Sequence, residues 1–104
     1  MALTPEAKVK AQVKKILDAT PNLYYFFPAT GGFGRSGVPD IICCVNGEFL
    51  AIECKAGKGT TTLLQDREIM KIHAANGRAI VVNENTVITV EKLLKELNGK
   101  ADYD

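Results

Sequence analysis

The sequence predicts an α/β domain in which helices flank a mixed β-sheet, in the order α-β-β-β-α-β-(β)-α. Three observations predict it. Asn46-Gly47 separates two apolar runs, and a two-residue type I′ turn needs φ > 0 at both central positions, which this pair tolerates. Apolar residues recur at helical spacing near the start, the middle and the end of the chain. Between them, Leu23–Phe27 and Arg78–Val82 are short aromatic or β-branched runs bounded by Pro, Gly and Asn, the composition of strands.

The elements follow in chain order. Thr4-Pro5 opens a helix over about residues 5–19, with Thr4 as N-cap and Pro5 at the first helical position. Val9, Val13, Ile16 and Leu17 share one face, and the helix ends before Pro21. Leu23–Phe27 is a strand that Pro28 stops. A glycine-rich loop, Gly31 to Gly37, leads into a hairpin of strands 40–45 and 48–55. Residues 56–61 form a second flexible connection. A helix over about 62–75 ends at Gly77. Arg78–Val82 is an apolar strand, and Asn83-Glu84-Asn85 turns the chain. Val87-Ile88 then reads as a short strand before a last helix, about 90–97, that Thr89 can cap. From Gly99 onward the chain reads as a frayed tail.

Residues 1–104 read as one domain, since the length supports a single core. A content of 46% hydrophobic and 24% charged residues, with a net charge of +1, is that of a globular protein. A polyanionic partner must therefore meet a local basic patch rather than a basic surface. No apolar run approaches the roughly 20 residues of a membrane span, and the N-terminus lacks a signal-peptide pattern, so a cytoplasmic protein without membrane contact is expected. Cys43, Cys44 and Cys54 have no zinc-site spacing and are expected to be free, packing thiols.

The hairpin register concentrates chemistry. With Asn46-Gly47 as the loop, Val45 faces Glu48, Cys44 faces Phe49, Ile42 faces Ala51, and Asp40 lands opposite Glu53. Opposed residues point to the same face with β-carbons roughly 4.5–5.5 Å apart. Lys55, two residues past Glu53, points there too. Like charges directly opposite destabilise a sheet. Two readings are open: a divalent cation joins the carboxylates, or Glu53 pairs with Lys55 beside a strand-capping Asp40. In the first, a cation lowers the pKa of its water and Lys55 orients it.

Further residues can join. Glu6 falls on the arc of Val9, Val13 and Leu17, either as a site carboxylate or as a first-turn acid favoured by the helix dipole. Gln65 shares a stripe with Ile69 and Ile72, pointing inward or serving as a first-turn polar residue. Arg35 among its glycines is a candidate for gripping a phosphate backbone, with a mobile surface loop as the other reading; Lys58, Arg67, Lys71 and the lysines of the first helix could add to that surface or simply be solvated helix faces. His73 carries no assigned chemistry.

Gly37-Val38-Pro39-Asp40, an apolar strand, Glu53-Cys54-Lys55, Gln65 on a helix and a strand after Gly77 resemble the virus-type replication-repair nuclease (VRR-NUC) family of the PD-(D/E)xK superfamily. The resemblance runs from Glu6 to about Val82 and implies a restriction-endonuclease-like core. It implies that Asp40, Glu53 and the Cys54 backbone carbonyl hold Mg2+ or Mn2+, that Glu6 contacts metal-bound water or a second cation, that Lys55 positions or activates the attacking water, and that Gln65 supports the lysine or the substrate side of the site. Stand-alone members this short are typically phage-encoded, which would place the protein in host cytoplasm, and look like homodimeric enzymes resolving four-way junctions. The apolar segment from Val87-Ile88 to Leu97 could supply a surface for such a dimer. The expected function is thus a metal-dependent endonuclease cutting Holliday junctions or other branched DNA. Alternatives are a nuclease for flaps or linear DNA, and a non-catalytic DNA-binding module.

Overall fold

The computed structural model describes residues 3–29 and 34–99. Its elements are α1 (Pro5–Asp18), β1 (Leu23–Phe26), β2 (Ile41–Val45), β3 (Glu48–Cys54), α2 (Leu63–Ala74), β4 (Arg78–Val82) and α3 (Val87–Gly99). The sheet runs in the order β1-β2-β3-β4. The first two pairings are antiparallel and β3 pairs with β4 in parallel. The sheet is therefore mixed, as expected, because a parallel pair needs a crossover and α2 is that crossover.

Local chemistry accounts for most of these boundaries. Thr4 caps α1, its side chain accepting the Ala7 N–H, with Pro5 in the first turn. Asn46 and Gly47 have φ of 50° and 84°, and the register is the one expected: Ile42 opposite Ala51, Cys44 opposite Phe49, Val45 opposite Glu48. Thr62 and Gln65 form a reciprocal capping box at the start of α2, which satisfies two backbone donors at once.

The two sheet faces differ. Ile41, Cys43, Val45, Leu50, Ile52, Cys54 and Val82 pack with Val9, Val13 and Leu17 of α1 and with Val90, Leu94 and Leu97 of α3 as the main core. On the other face, Ala51 and Glu53 are buried beneath the side where Gln65 of α2 meets Glu53. No α2 residue is fully buried.

Several expectations need correction. Phe27 lies beyond β1, and Asp40 and Lys55 flank their strands rather than belong to them. Val87-Ile88 is helical, not extended. Thr86 Oγ1 accepts the Asn83 N–H and Asn83 Oδ1 accepts the Asn85 N–H, so the turn delivers Val87 straight into α3. The stripe Val87, Val90, Leu94, Leu97 then packs inward, and this burial overrides the strand preference of β-branched residues. Thr89 consequently sits inside the helix, donating its hydroxyl to the Thr86 carbonyl. Val90, Leu94 and Leu97 of this stripe are spent on the protein's own core, whereas Ile88 is exposed. Cys43 and Cys54 are buried, whereas Cys44 is exposed; all three are free. Gly99 ends α3 instead of starting a tail. The loop residues Gly31, Gly32 and Phe33 and the tail 100–104 lie outside the described residues.

Candidate active site at the open end of the hairpin

The antiparallel pairing of β2 and β3 brings their open ends together opposite the Asn46-Gly47 turn. Asp40 precedes β2 and Glu53 is the penultimate residue of β3. Asp40 Oδ2 accepts the Cys54 N–H at 2.8 Å. This bond locks the aspartate to the end of β3. Glu6 arrives from the first turn of α1, and one carboxylate oxygen each from Glu6, Asp40 and Glu53 lie within 4.8 Å of one another.

Glu53 is the most constrained of the three. It is 2% exposed. Its Oε2 accepts the Gln65 amide at 2.9 Å and lies 3.5 Å from Lys55 Nζ. Its Oε1 is buried with no hydrogen-bond partner among the described residues. Burial, then the Asp40 carboxylate, raises the Glu53 pKa to about 7; Lys55 opposes the shift and Glu6 adds to it. A buried carboxylate oxygen without a donor is costly, and a hard cation is the partner such an oxygen prefers. Three converging carboxylates and one orphaned oxygen thus fit a divalent cation.

The remaining side chains fix this geometry. Gln65 uses both ends of its amide: Oε1 accepts the Thr62 N–H while Nε2 donates to Glu53. The cap at the start of α2 therefore holds the Glu53 rotamer. Lys55 is tethered by its own N–H to the Val82 carbonyl at 2.9 Å, and its side chain is 13% exposed. The Glu53–Lys55 ion pair of the second reading forms, and it lies beside the three-carboxylate cluster that the cation reading requires.

Other expected contributors stand apart. Arg35 pairs with Glu68 of α2 at 2.7 Å and stays largely exposed. Lys58 is exposed in the β3–α2 connection, where the neighbouring Gly57 N–H is held by the Glu84 carboxylate at 2.7 Å. Lys10, one of the first-helix lysines, stands in the site in a way that sequence reasoning missed: its Nζ lies 3.7 Å from Asp40 Oδ1. Its only signal was helical spacing, one turn after Glu6. A groove of about 920 Å3 between α1 and α3, lined by Ile16, Thr20, Val87 and Leu94 among others, contains none of the site residues.

Comparison with known proteins agrees with this geometry. Residues 8–81 match a family model described as archaeal Holliday junction resolvase (Hjc), a span that includes Asp40, Glu53, Lys55 and Gln65 but not Glu6. A solved structure described as a VRR_NUC domain superposes with a TM-score of 0.71 at 22% identity, covering 89% of this chain and 97% of that one. It shows that the fold is the expected one. No curated protein matches the chain.

Proposed function

Since the chain belongs to the archaeal Holliday junction resolvase (Hjc) family, we propose that it is a divalent-cation-dependent endonuclease hydrolysing phosphodiester bonds in branched DNA, four-way junctions foremost. One observation carries the cation requirement: the orphaned, buried Glu53 Oε1 inside a cluster of three carboxylates. Asp40, Glu53 and the Cys54 carbonyl would hold Mg2+ or Mn2+, with Glu6 joining directly or through water. Such an ion supplies Lewis-acid charge neutralisation at the phosphate.

The chain's own residues supply the rest. Lys55, held beside Glu53, orients the water that attacks phosphorus in line with the leaving 3′ oxygen, leaving a 5′ phosphate. Its ammonium also offsets negative charge that grows on the phosphate oxygens. Gln65 keeps Glu53 in one rotamer, so the cluster needs little reorganisation when substrate arrives. Exposed Arg35 and Lys58 are candidates for gripping the flanking phosphates. No helix among the described residues is long and apolar enough to cross a membrane, and a DNA substrate points to the cytoplasm, of the host if the protein is phage-encoded.

The acting unit is a single nuclease domain paired with a second copy, because symmetric cutting of a junction needs two sites related by a twofold axis. The α2-side face of β1 and β2 supports this pairing. Tyr24, Cys44 and Phe49 form one cross-strand row, and Tyr24, Phe26 and Phe49 are 70%, 45% and 42% exposed. An uncharged aromatic surface of this kind suits a protein partner better than a phosphate backbone.

The test is cleavage of four-way junctions, flaps and linear duplexes side by side, with Mg2+ or Mn2+. Lys55→Ala is expected to lower cutting about 100-fold or more while DNA binding persists, and Asp40→Ala to lose both cutting and cation affinity. An Asp40→Ala protein that cuts at the wild-type rate would refute the site. Binding without cleavage in either metal would mark a non-catalytic module.

A further inference from the structure

A second ammonium reaches the carboxylates from α1. Lys10 follows Glu6 by four residues, so both project from the same helix face. Its Nζ lies 3.7 Å from Asp40 Oδ1 and 5.8 Å from the centre of the Phe27 ring. Asp40 Oδ2 already accepts the Cys54 N–H. Oδ1 is therefore the aspartate oxygen with more capacity left for a cation, and Lys10 stands beside it.

The two lysines of the site differ in freedom. Lys55 follows β3 directly, with a 13% exposed side chain. Lys10 rides on a helix, is 39% exposed at the side chain and has open solvent to move into. An ammonium and a divalent ion on one carboxylate repel each other, so cation binding either bears that repulsion or displaces the lysine. A DNA phosphate offers the displaced ammonium a new partner.

We propose that Lys10 is a mobile counter-cation for Asp40, holding Oδ1 until a divalent cation arrives and then pairing with a backbone phosphate of the DNA. Lys10 is thus a positioning residue that couples cation binding to DNA binding, and such coupling is reciprocal. The proposal rests on the cation-site reading above.

Mn2+ binding, followed calorimetrically without DNA at low ionic strength, tests it. Lys10→Met, which keeps an apolar stem beside Phe27, is expected to tighten Mn2+ binding about threefold to tenfold, and Lys10→Arg to stay within about twofold of wild type. Asp40→Asn should weaken binding about tenfold or more. In a Lys55→Ala background, a four-way junction should tighten Mn2+ binding, and adding Lys10→Met should remove most of that gain. A merely structural lysine would not give tighter binding on removal.

Unchanged or weaker Mn2+ binding in Lys10→Met, with Asp40→Asn still impaired, would overturn the role of Lys10 and leave the cation site standing. Wild-type protein that binds no Mn2+ saturably would overturn both.

Discussion

At the scale of single residues, Glu53 concentrates the conflict between stability and function. It is buried beside two other carboxylates, and its pKa is raised to about 7 from an ordinary 4.5. Below about pH 4.5 the group is neutral in folded and unfolded chains alike. As pH rises toward 7 the unfolded chain releases the proton first, so stability is lost through that window, by about 3 kcal/mol at most. In EDTA, urea unfolding should show the protein weakening from about pH 4.5 to about pH 7. Glu53→Gln should flatten that part of the profile, because its amide still accepts from Gln65 and carries no charge. A Glu53→Gln profile parallel to wild type would show that Glu53 does not titrate there. Asp40, Glu53 and Lys55 were legible in the sequence because a two-residue turn and a period of two are local rules. The double use of the Gln65 amide and the Lys10–Asp40 pair were not, since both depend on how helices dock.

At the scale of elements, the loop before β2 and the start of α2 are interlocked by a glycine. Gly37 has φ of 82°, and a Cβ there would meet the Leu64 backbone carbonyl at 2.5 Å and the Gln65 nitrogen at 2.9 Å. Gly37→Ala should therefore displace the start of α2 and pull Gln65 away from Glu53. The expected cost is about 1–3 kcal/mol, with cleavage lowered alongside it. Gly47→Ala is the control: its φ is 84° but nothing lies within 4 Å of the added Cβ. It should cost about 1 kcal/mol and leave the cleavage rate of folded protein unchanged. Melting temperatures and cleavage rates of both variants decide this; equal rates in the two would remove the interlock from the account. α3 shows the opposite case, in which propensity misled. Two β-branched residues at its start favour a strand locally, yet the stripe from Val87 to Leu97 buries against α1 and β2 only as a helix.

At the scale of the whole molecule, the uncovered sheet face is the feature that a lone copy leaves unexplained. Tyr24, Phe26 and Phe49 remain substantially exposed because α2 lies over the β3–β4 side and no element among the described residues covers this face of β1, whose other face packs Leu23 and Tyr25 against the core. If that face pairs two copies, Tyr24→Glu with Phe26→Glu should shift the protein to monomer in sedimentation experiments, since burying two charges there is unfavourable. Paired, symmetric nicks across a junction should be lost while single-site cutting persists. A dimer that survives both changes would place the interface elsewhere.

The sequence by itself determined what local rules control: the capped start of α1, the Asn46-Gly47 turn, the hairpin register, and so the meeting of Asp40, Glu53 and Lys55. It also carried the family likeness that names a nuclease fold. Only the tertiary structure decided which face of the sheet stays bare, that α3 begins at Val87, that Glu53 keeps one buried oxygen without a donor, and that Lys10 faces Asp40. Those outcomes arise from docking α1, α2 and α3 against the sheet, where burial and long-range pairing outweigh the preferences of any single segment.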